Sequence, residues 1–453
     1  MLPCVAPEYI YSTYCSSIFI FKFVIHPTLQ YQKQTSHQQP EEMSPPQLKV
    51  LISGAGIAGP CLAYWLARTR LRASITIIER SPVPRVTGQA VDVRGPAIEI
   101  VKKMGLLDAV RSASTTEEGT QFLSASGKPV AMFGKGDSFT AEYEILRGDL
   151  SRLFMQATDG LENVRYVYAD SIKSMEQKEK DVTVSFTGGS QDTYNLVVAA
   201  DGSTSRTRSM FLDEQVLKGS YNFIGQYNAF FSIPRQSSDT NVWKIYNCPK
   251  GLGIMTRPHQ NPSTMGVYLC ITKSARGERD QVVEEAMNNG TEATKRMLHA
   301  YFDDAGWEAK RVLAGMDQAD DFYMSRAAQV ILPKWVNQRA CVLGDSAWAT
   351  FGVGTSLAIE GSYVLAGELS KIQSSDDVPG ALKRYEDVFR PIYSKSGEIP
   401  SLFPQMMFPQ TKTALKVRDT LLWVVGKTKL HKLFPGGEED NSELPAYVWR
   451  ETN

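Results

Sequence analysis

Short apolar runs recur along the chain, closely followed by glycine or an acidic residue. Leu48-Lys49-Val50-Leu51-Ile52 is rich in branched residues and reads as a buried parallel strand. Ile75-Thr76-Ile77-Ile78, Leu196-Val197-Val198-Ala199-Ala200 and Ala340-Cys341-Val342-Leu343 are further buried strands. Between the first two, Cys61 to Arg70 sets Leu62, Trp65 and Leu66 at helical spacing. A long helix is predicted from the turn Gly352-Val353-Gly354-Thr355 to about Leu369, with Leu357, Ile359, Val364 and Leu365 at packed positions. Residues 220–275 are strand-like and aromatic (Tyr221, Phe223, Tyr227, Phe230, Phe231, Trp243, Tyr246). Turn signals at Pro234, Pro249-Lys250-Gly251 and Asn261-Pro262 divide them, which predicts an antiparallel sheet. Near the end, Leu421 to Val425 lie among Lys416, Arg418, Lys427, Lys429 and Lys432. This predicts a helix packing its apolar face on the body; the same pattern suits a helix lying on a membrane.

The first 45 residues differ from the rest. Ile18 to Phe21 and Phe23 to Ile25 are apolar but interrupted by Lys22, and a Gln-rich stretch follows from Gln30 to Glu42. A spanning helix needs about 20 mostly apolar residues, more than this stretch supplies. No Lys or Arg precedes residue 9, unlike a signal peptide. We expect residues 1–46 to be a disordered leader or a mispredicted start, with Met43 the true first residue.

Composition narrows the class. The 453 residues are 42% hydrophobic and 22% charged, an ordinary globular balance that excludes collagen-like, coiled-coil and fully disordered chains. The 49 basic and 49 acidic residues cancel, so no basic excess argues for nucleic acid. Six scattered cysteines without a C-x-x-C pair are neither a disulfide framework nor a zinc site, and the five histidines show no metal spacing. Scattered cysteines fit a reducing compartment, and the expected location is cytoplasmic.

The chemistry starts directly after the first strand, at Gly54-Ala55-Gly56-Ile57-Ala58-Gly59. Gly54 allows the tight turn, Gly56 lets a pyrophosphate approach the backbone, and Gly59 lets the helix press on the strand. The helix N-terminus offers free N–H groups to phosphate. Glu79 ends the second strand, 20 residues beyond Gly59, and can accept hydrogen bonds from ribose hydroxyls. An acid there suits FAD or NAD and repels the 2′-phosphate of NADP.

Two later strands end in comparable signals. Asp201-Gly202-Ser203-Thr204-Ser205-Arg206-Thr207-Arg208 follows one, and Gly344-Asp345-Ser346-Ala347 follows the other. With Gly88-Gln89-Ala90-Val91-Asp92-Val93-Arg94-Gly95 and Ile145-Leu146-Arg147-Gly148-Asp149-Leu150, these motifs make residues 47–425 resemble the group A flavin monooxygenases. This is the para-hydroxybenzoate hydroxylase-like family, and the likeness is to its tetracycline-destructase-like fungal branch. The resemblance implies an α/β fold: a Rossmann-like FAD-binding domain, an inserted antiparallel β-sheet substrate domain and a C-terminal helical segment. The implied segments are 47–215 and 331–400 for FAD, 216–330 for substrate and 401–453 for the helix and tail. Gly54, Gly56 and Gly59 would hold the FAD pyrophosphate and Glu79 the adenosine ribose. Arg147 would contact the flavin side, and Gly344-Asp345 the ribityl or pyrophosphate region. Gly354 would sit near the isoalloxazine, with Asp92 and Arg94 close to the ring. Asp201 and Gly202 would serve both FAD and a visiting NAD(P)H. Arg147 could instead make an ordinary salt bridge, and Asp201 and Asp345 could simply cap helices.

The implied reaction uses NADPH or NADH and O2 to hydroxylate a small aromatic or polyketide-like substrate through a flavin C4a-hydroperoxide, as in secondary-metabolite biosynthesis. Arg257, His259 and Tyr246 are candidates for deprotonating a phenol. Epoxidation, oxidation, or a catalytically silent FAD-binding protein are the other readings. The chain carries neither a halogenase-type W-x-W-x-I-P stretch nor a G-x-S-x-G elbow. It departs from many relatives at Trp348, where they have histidine, and in a proline-free loop, Ala349-Thr350-Phe351, about three residues shorter than theirs. Oligomeric state is not readable from the sequence.

Overall fold

The computed structural model describes residues 48–84, 88–135, 141–395, 402–429 and 443–450. The expectations for the leader and for Met43 lie outside these residues. The described residues belong to one compact unit.

A six-stranded sheet organises that unit. In spatial order its strands are Val336–Asn337, Ala340–Val342, Leu196–Ala199, Leu48–Ser53, Ala73–Glu79 and Val164–Tyr168. All neighbours run parallel except the first pair. From the central strand Leu48–Ser53 the chain first builds to one side, then returns to build the other. Strand order therefore reverses beside Ser53, where open α/β sheets leave a crevice at the carboxyl ends of the strands. Helix Ala58–Ala67 packs against helix Gly354–Leu369. A three-stranded sheet (Ile172–Gln177, Val182–Phe186, Gln191–Tyr194) adds Val182, Val184 and Phe186 to the same core. Coverage of this kind is why the central strands read as continuous apolar runs.

The second sheet has seven strands. Its order is Tyr323–Val330, Tyr221–Pro234, Thr264–Thr272, Leu252–Pro258, Trp243–Cys248, Gly119–Leu123 and Pro129–Gly134. The first five pair antiparallel, as the alternation over 220–275 predicts. The last two come from earlier in the chain, so this sheet draws on two stretches. Tyr227, Phe231 and Ile233 face one side and pack with Val283, Leu298 and Leu313 of three covering helices. Gln226, Asn228, Phe230 and Ser232, alternating with them, point to the opposite face. A small antiparallel ribbon, Ala90–Val93 with Tyr143–Leu146, lies between the layers and sets Asp92 opposite Glu144.

Trp348 lies in the short helix Asp345–Trp348, fully buried. Its ring sits 4.7 Å from Trp335 and 5.0 Å from Phe389. A Cβ added at Gly361 would come within 2.8 Å of it, so that glycine makes room for the indole. Trp348 thus fills an aromatic core.

The helix Lys412–Thr428 turns Leu415, Leu422 and Val425 inward, toward the strands Trp243–Cys248 and Pro129–Gly134. Packing on the body is therefore present, but Val417, Leu421 and Trp423 of the same helix stay exposed. No helix among the described residues is long and apolar enough to cross a membrane. Beyond the helix, Trp449 packs 4.6 Å from Trp65, a contact the sequence did not signal.

Truncating Trp348 to alanine empties the centre of its aromatic cluster. We expect Trp348→Ala to cost about 3–5 kcal/mol of stability, read as a lower midpoint in chemical denaturation.

Candidate active site

Four of the sequence motifs arrive at the carboxyl ends of adjacent parallel strands, although they span residues 54 to 345. Gly54 follows Leu48–Ser53, Glu79 ends Ala73–Glu79, Asp201 follows Leu196–Ala199, and Gly344-Asp345 follows Ala340–Val342.

The three glycines do different work. Gly54 has φ +113°, and a Cβ there would lie 2.4 Å from the carbonyl oxygen of Ala200. A Cβ on Gly59 would lie 2.1 Å from the Gly54 carbonyl oxygen, so the helix start presses on the turn. Above Gly56 the space is open, with only the Arg147 guanidinium 4.0 Å from a Cβ position. The helix Ala58–Ala67 has no side-chain cap, which leaves its first N–H groups for a ligand. Glu79 is turned to the same loop: its carboxylate accepts from the Ala55 N–H at 3.0 Å and the Ser81 N–H at 3.0 Å.

Arg147 is the first residue of helix Arg147–Gln156, and its backbone N–H donates to Gln89. One turn later, the Ser151 hydroxyl lies within reach of the carbonyls of Ala55 (3.2 Å) and Gly56 (3.1 Å). Ser151 therefore fixes the glycine turn from another element. Its i+4 offset from Arg147 was the available signal, and sequence reasoning passed over it.

The other acids separate into two kinds. Both oxygens of Asp201 are committed to its own turn, accepting from the N–H groups of Arg206 and Thr207 at 3.1 Å and from the hydroxyls of Ser205 and Thr207. It acts as a turn cap, beside Gly202 at φ +91°. Asp345 has no hydrogen-bond partner among the described residues, and its Oδ1 lies 3.5 Å from a Cβ position on Gly354. That places a free carboxylate beside the uncapped start of helix Gly354–Leu369. Two further contacts join the loops. The buried Arg208 guanidinium donates to the carbonyls of Ser346 (2.7 Å) and Ser203 (3.1 Å). Ser356 Oγ accepts the Arg94 N–H at 3.0 Å, drawing the ribbon to the helix start. Asp92 and Arg94 pair with each other at 2.7 Å. These observations fit FAD: an open glycine turn under uncapped N–H groups for the pyrophosphate, and an unspent carboxylate for hydroxyls.

Matches to known proteins agree. A family model described as an FAD binding domain matches residues 47–396. The chain is 33% identical over 430 residues to the flavin-dependent monooxygenase eupH of a Phoma species, covering 88% of this chain and 98% of that one. It is 35% identical over 416 residues to monooxygenase CTB7 of Cercospora beticola, covering 88% and 97%. The chain belongs to the FAD-dependent monooxygenases. The crystal structure of tetracycline destructase Tet(51) superposes on this monooxygenase with a TM-score of 0.70 at 27% identity, covering 88% of this chain and 100% of that one.

The sheet meets the ribbon through buried charge. Arg257, Glu117 and Glu144 are all at most 9% exposed. Arg257 Nε donates to Glu117 at 2.7 Å, and its guanidinium lies 4.0 Å from the Trp243 ring centroid. Glu144 contacts the same guanidinium, yet neither of its oxygens makes a directed hydrogen bond. One cation cannot compensate two buried carboxylates. Burial, only partly offset by Arg257 and reinforced by Glu117 and Asp92, pushes the Glu144 carboxyl up to about 8. Burial works against the Arg257 charge as well, but Glu144, Tyr268 and Glu117 hold the guanidinium protonated.

Of the three candidates for a substrate-facing polar group, only His259 lines a cleft. Arg257 is spent on the two glutamates. Tyr246 is on the helix-covered side of the sheet and donates to the Ala305 carbonyl at 2.7 Å. The cleft, of about 700 Å³, runs between the sheet and the start of the ribbon, past Gln89, Leu146, Phe230, His259, Tyr268 and Tyr323. Burial lowers the His259 pKa, with Asp321 and Asp149 opposing and Arg257 adding to the shift, so the imidazole is neutral at pH 7.

Two outcomes follow. Gly56→Val or Asp345→Ala should lower FAD retention after gel filtration, and full occupancy in both would contradict this assignment. Because the folded-state pKa of Glu144 is raised, its proton stabilises the fold most fully below about 4.5, and that contribution is lost as pH rises toward about 8. Thermal midpoints of Glu144→Gln should therefore vary less over pH 5–8 than those of the parent.

Proposed function

We propose that this monooxygenase uses NAD(P)H and O2 to hydroxylate a small aromatic or polyketide-like molecule, by the hydroperoxide route set out above, in secondary metabolism. The observation that carries the reading is the aromatic-floored cleft between the substrate sheet and the ribbon that leads to the FAD cradle. The fungal relatives named as monooxygenases support it.

Bound FAD supplies the redox chemistry and the activation of oxygen. The chain supplies placement. The glycine turn, Ser151 and Arg147 would hold the pyrophosphate end, and Asp345 and the start of helix Gly354–Leu369 the ribityl and ring end. The turn capped by Asp201, tied by Arg208 to the Gly344-Asp345 loop, keeps the two ends in register. Phe230 lies with its ring 4.9 Å from Tyr268 and 4.9 Å from Tyr323, an aromatic ledge for a planar substrate. The hydroxyls of both tyrosines are turned to the ribbon, Tyr268 accepting the Ala90 N–H at 3.0 Å and Tyr323 meeting Gln89. The ledge is thereby fixed in place. Thr264 Oγ1 lies 3.0 Å from His259 Nδ1, which leaves Nε2 to receive a phenolic proton.

The purified protein should show flavin bands near about 370 and 450 nm, bleached by anaerobic NADPH and restored by air. A suitable phenol should accelerate NADPH oxidation, and His259→Gln should lower that acceleration while leaving the flavin spectrum unchanged. A protein that binds FAD but is never reduced by NADPH or NADH would favour the silent reading.

A further inference from the structure

The charge lining the cleft restricts what can enter it, an inference that rests on the substrate cleft proposed above. Three lining residues are charged: Asp149, Arg152 and Asp321. The one cation is already paired, Arg152 Nη2 lying 2.6 Å from Asp149 Oδ1. Asp321 makes no salt bridge among the described residues; its carboxylate accepts the Ser232 N–H at 2.9 Å and the Ser232 hydroxyl at 2.6 Å. Two guanidinium groups near the cleft are committed elsewhere. Arg257 is locked between Glu117 and Glu144, and Arg147 is turned to the glycine turn. His259 is held neutral by burial. The described lining of the cleft therefore carries one net negative charge beside an aromatic ledge and a neutral imidazole.

We propose that this cleft selects planar phenols that are uncharged or cationic, and rejects aromatic carboxylates. A carboxylate in the cleft would find the one cation among the described lining residues already paired with Asp149, and would face the Asp321 charge in a partly desolvated space, where like charges repel strongly. A neutral phenol meets no such cost. Its ring rests on Phe230, Tyr268 and Tyr323, and its hydroxyl donates to His259 Nε2. By the same argument the anionic pyrophosphate of NAD(P)H is a poor occupant of this cleft.

Two probes with the same ring system separate the cases: 2-naphthol, neutral at pH 7, and 6-hydroxy-2-naphthoate, ionised at pH 7. Binding of each to the FAD-loaded protein is measured by equilibrium dialysis without NAD(P)H, so the result is independent of turnover. We expect 2-naphthol to bind about ten-fold or more tighter. Asp321→Asn should narrow that ratio by strengthening naphthoate binding, with 2-naphthol affinity little changed. Ala109→Trp, which fills the cleft from the helix Leu107–Ala113, should abolish binding of 2-naphthol. Equal or tighter binding of the naphthoate overturns the proposal. So does failure of 2-naphthol to bind at millimolar concentration, or its unchanged binding to Ala109→Trp. If NADPH still bleaches the flavin in those cases, the monooxygenase reading stands and only the assignment of the cleft falls.

Discussion

The site depends on how closely the first turn approaches the neighbouring strand. Gly54 leaves no room for a side chain against the carbonyl of Ala200, and Gly59 leaves none against Gly54. These two contacts bring the start of helix Ala58–Ala67 directly over the point where strand order reverses. There its unpaired N–H groups face open space above Gly56. The rest of the cradle is tied to this point by side chains from elsewhere. Ser151 holds the glycine turn from one side. Thr207 Oγ1 lies 2.9 Å from Ser53 Oγ on another, and Arg208 extends the tie to Ser346. An anion site of this kind is built by backbone geometry, and side chains serve to keep it still.

The second sheet is joined to this frame by a different kind of interaction. Arg257 and Glu144, from two strands, and Glu117, from the loop before Gly119–Leu123, meet almost out of reach of water. Their net contribution to stability is small, because the cost of stripping Arg257 and Glu117 of water offsets their attraction, while Glu144, raised to about 8, holds its proton at neutral pH. What such a cluster supplies is position: each member left alone would be a buried uncompensated charge, so the sheet and the ribbon are held in one arrangement. The hydroxyls of Tyr268 and Tyr323 reach the ribbon beside it. Polar contacts thus fix the roof of the cleft, while apolar contacts on the opposite face bury it under helices.

The two ends of the site consequently differ in electrostatic character. The cradle presents helix N-termini, backbone N–H groups and Arg147, all suited to a pyrophosphate. The cleft presents aromatic faces, a neutral histidine and an acid. In the proposed reading, charge tells cofactor from substrate before shape does.

Much of the fold was written in local pattern. Continuous apolar runs gave the central parallel strands, alternation gave the aromatic antiparallel sheet, and glycine spacing with a terminal acid marked the nucleotide turn. These features are legible because they follow from the chain's own periodicity and backbone freedom within a few residues. Their partners were decided only by the tertiary structure. Asp201 and Asp345 look alike in sequence, each following an apolar strand, yet one carboxylate is consumed by its own turn and the other stays free. Arg257, His259 and Tyr246 were equal candidates until strand register sent Tyr246 to the helix-covered side and put Arg257 against two glutamates. Gly119–Leu123 and Pro129–Gly134 joined a sheet whose other five strands begin only at Tyr221. Hydrogen bonds and charge pairs between residues far apart in sequence leave no periodic trace in it. They depend on which faces meet once both sheets are packed, and that is settled by the whole fold.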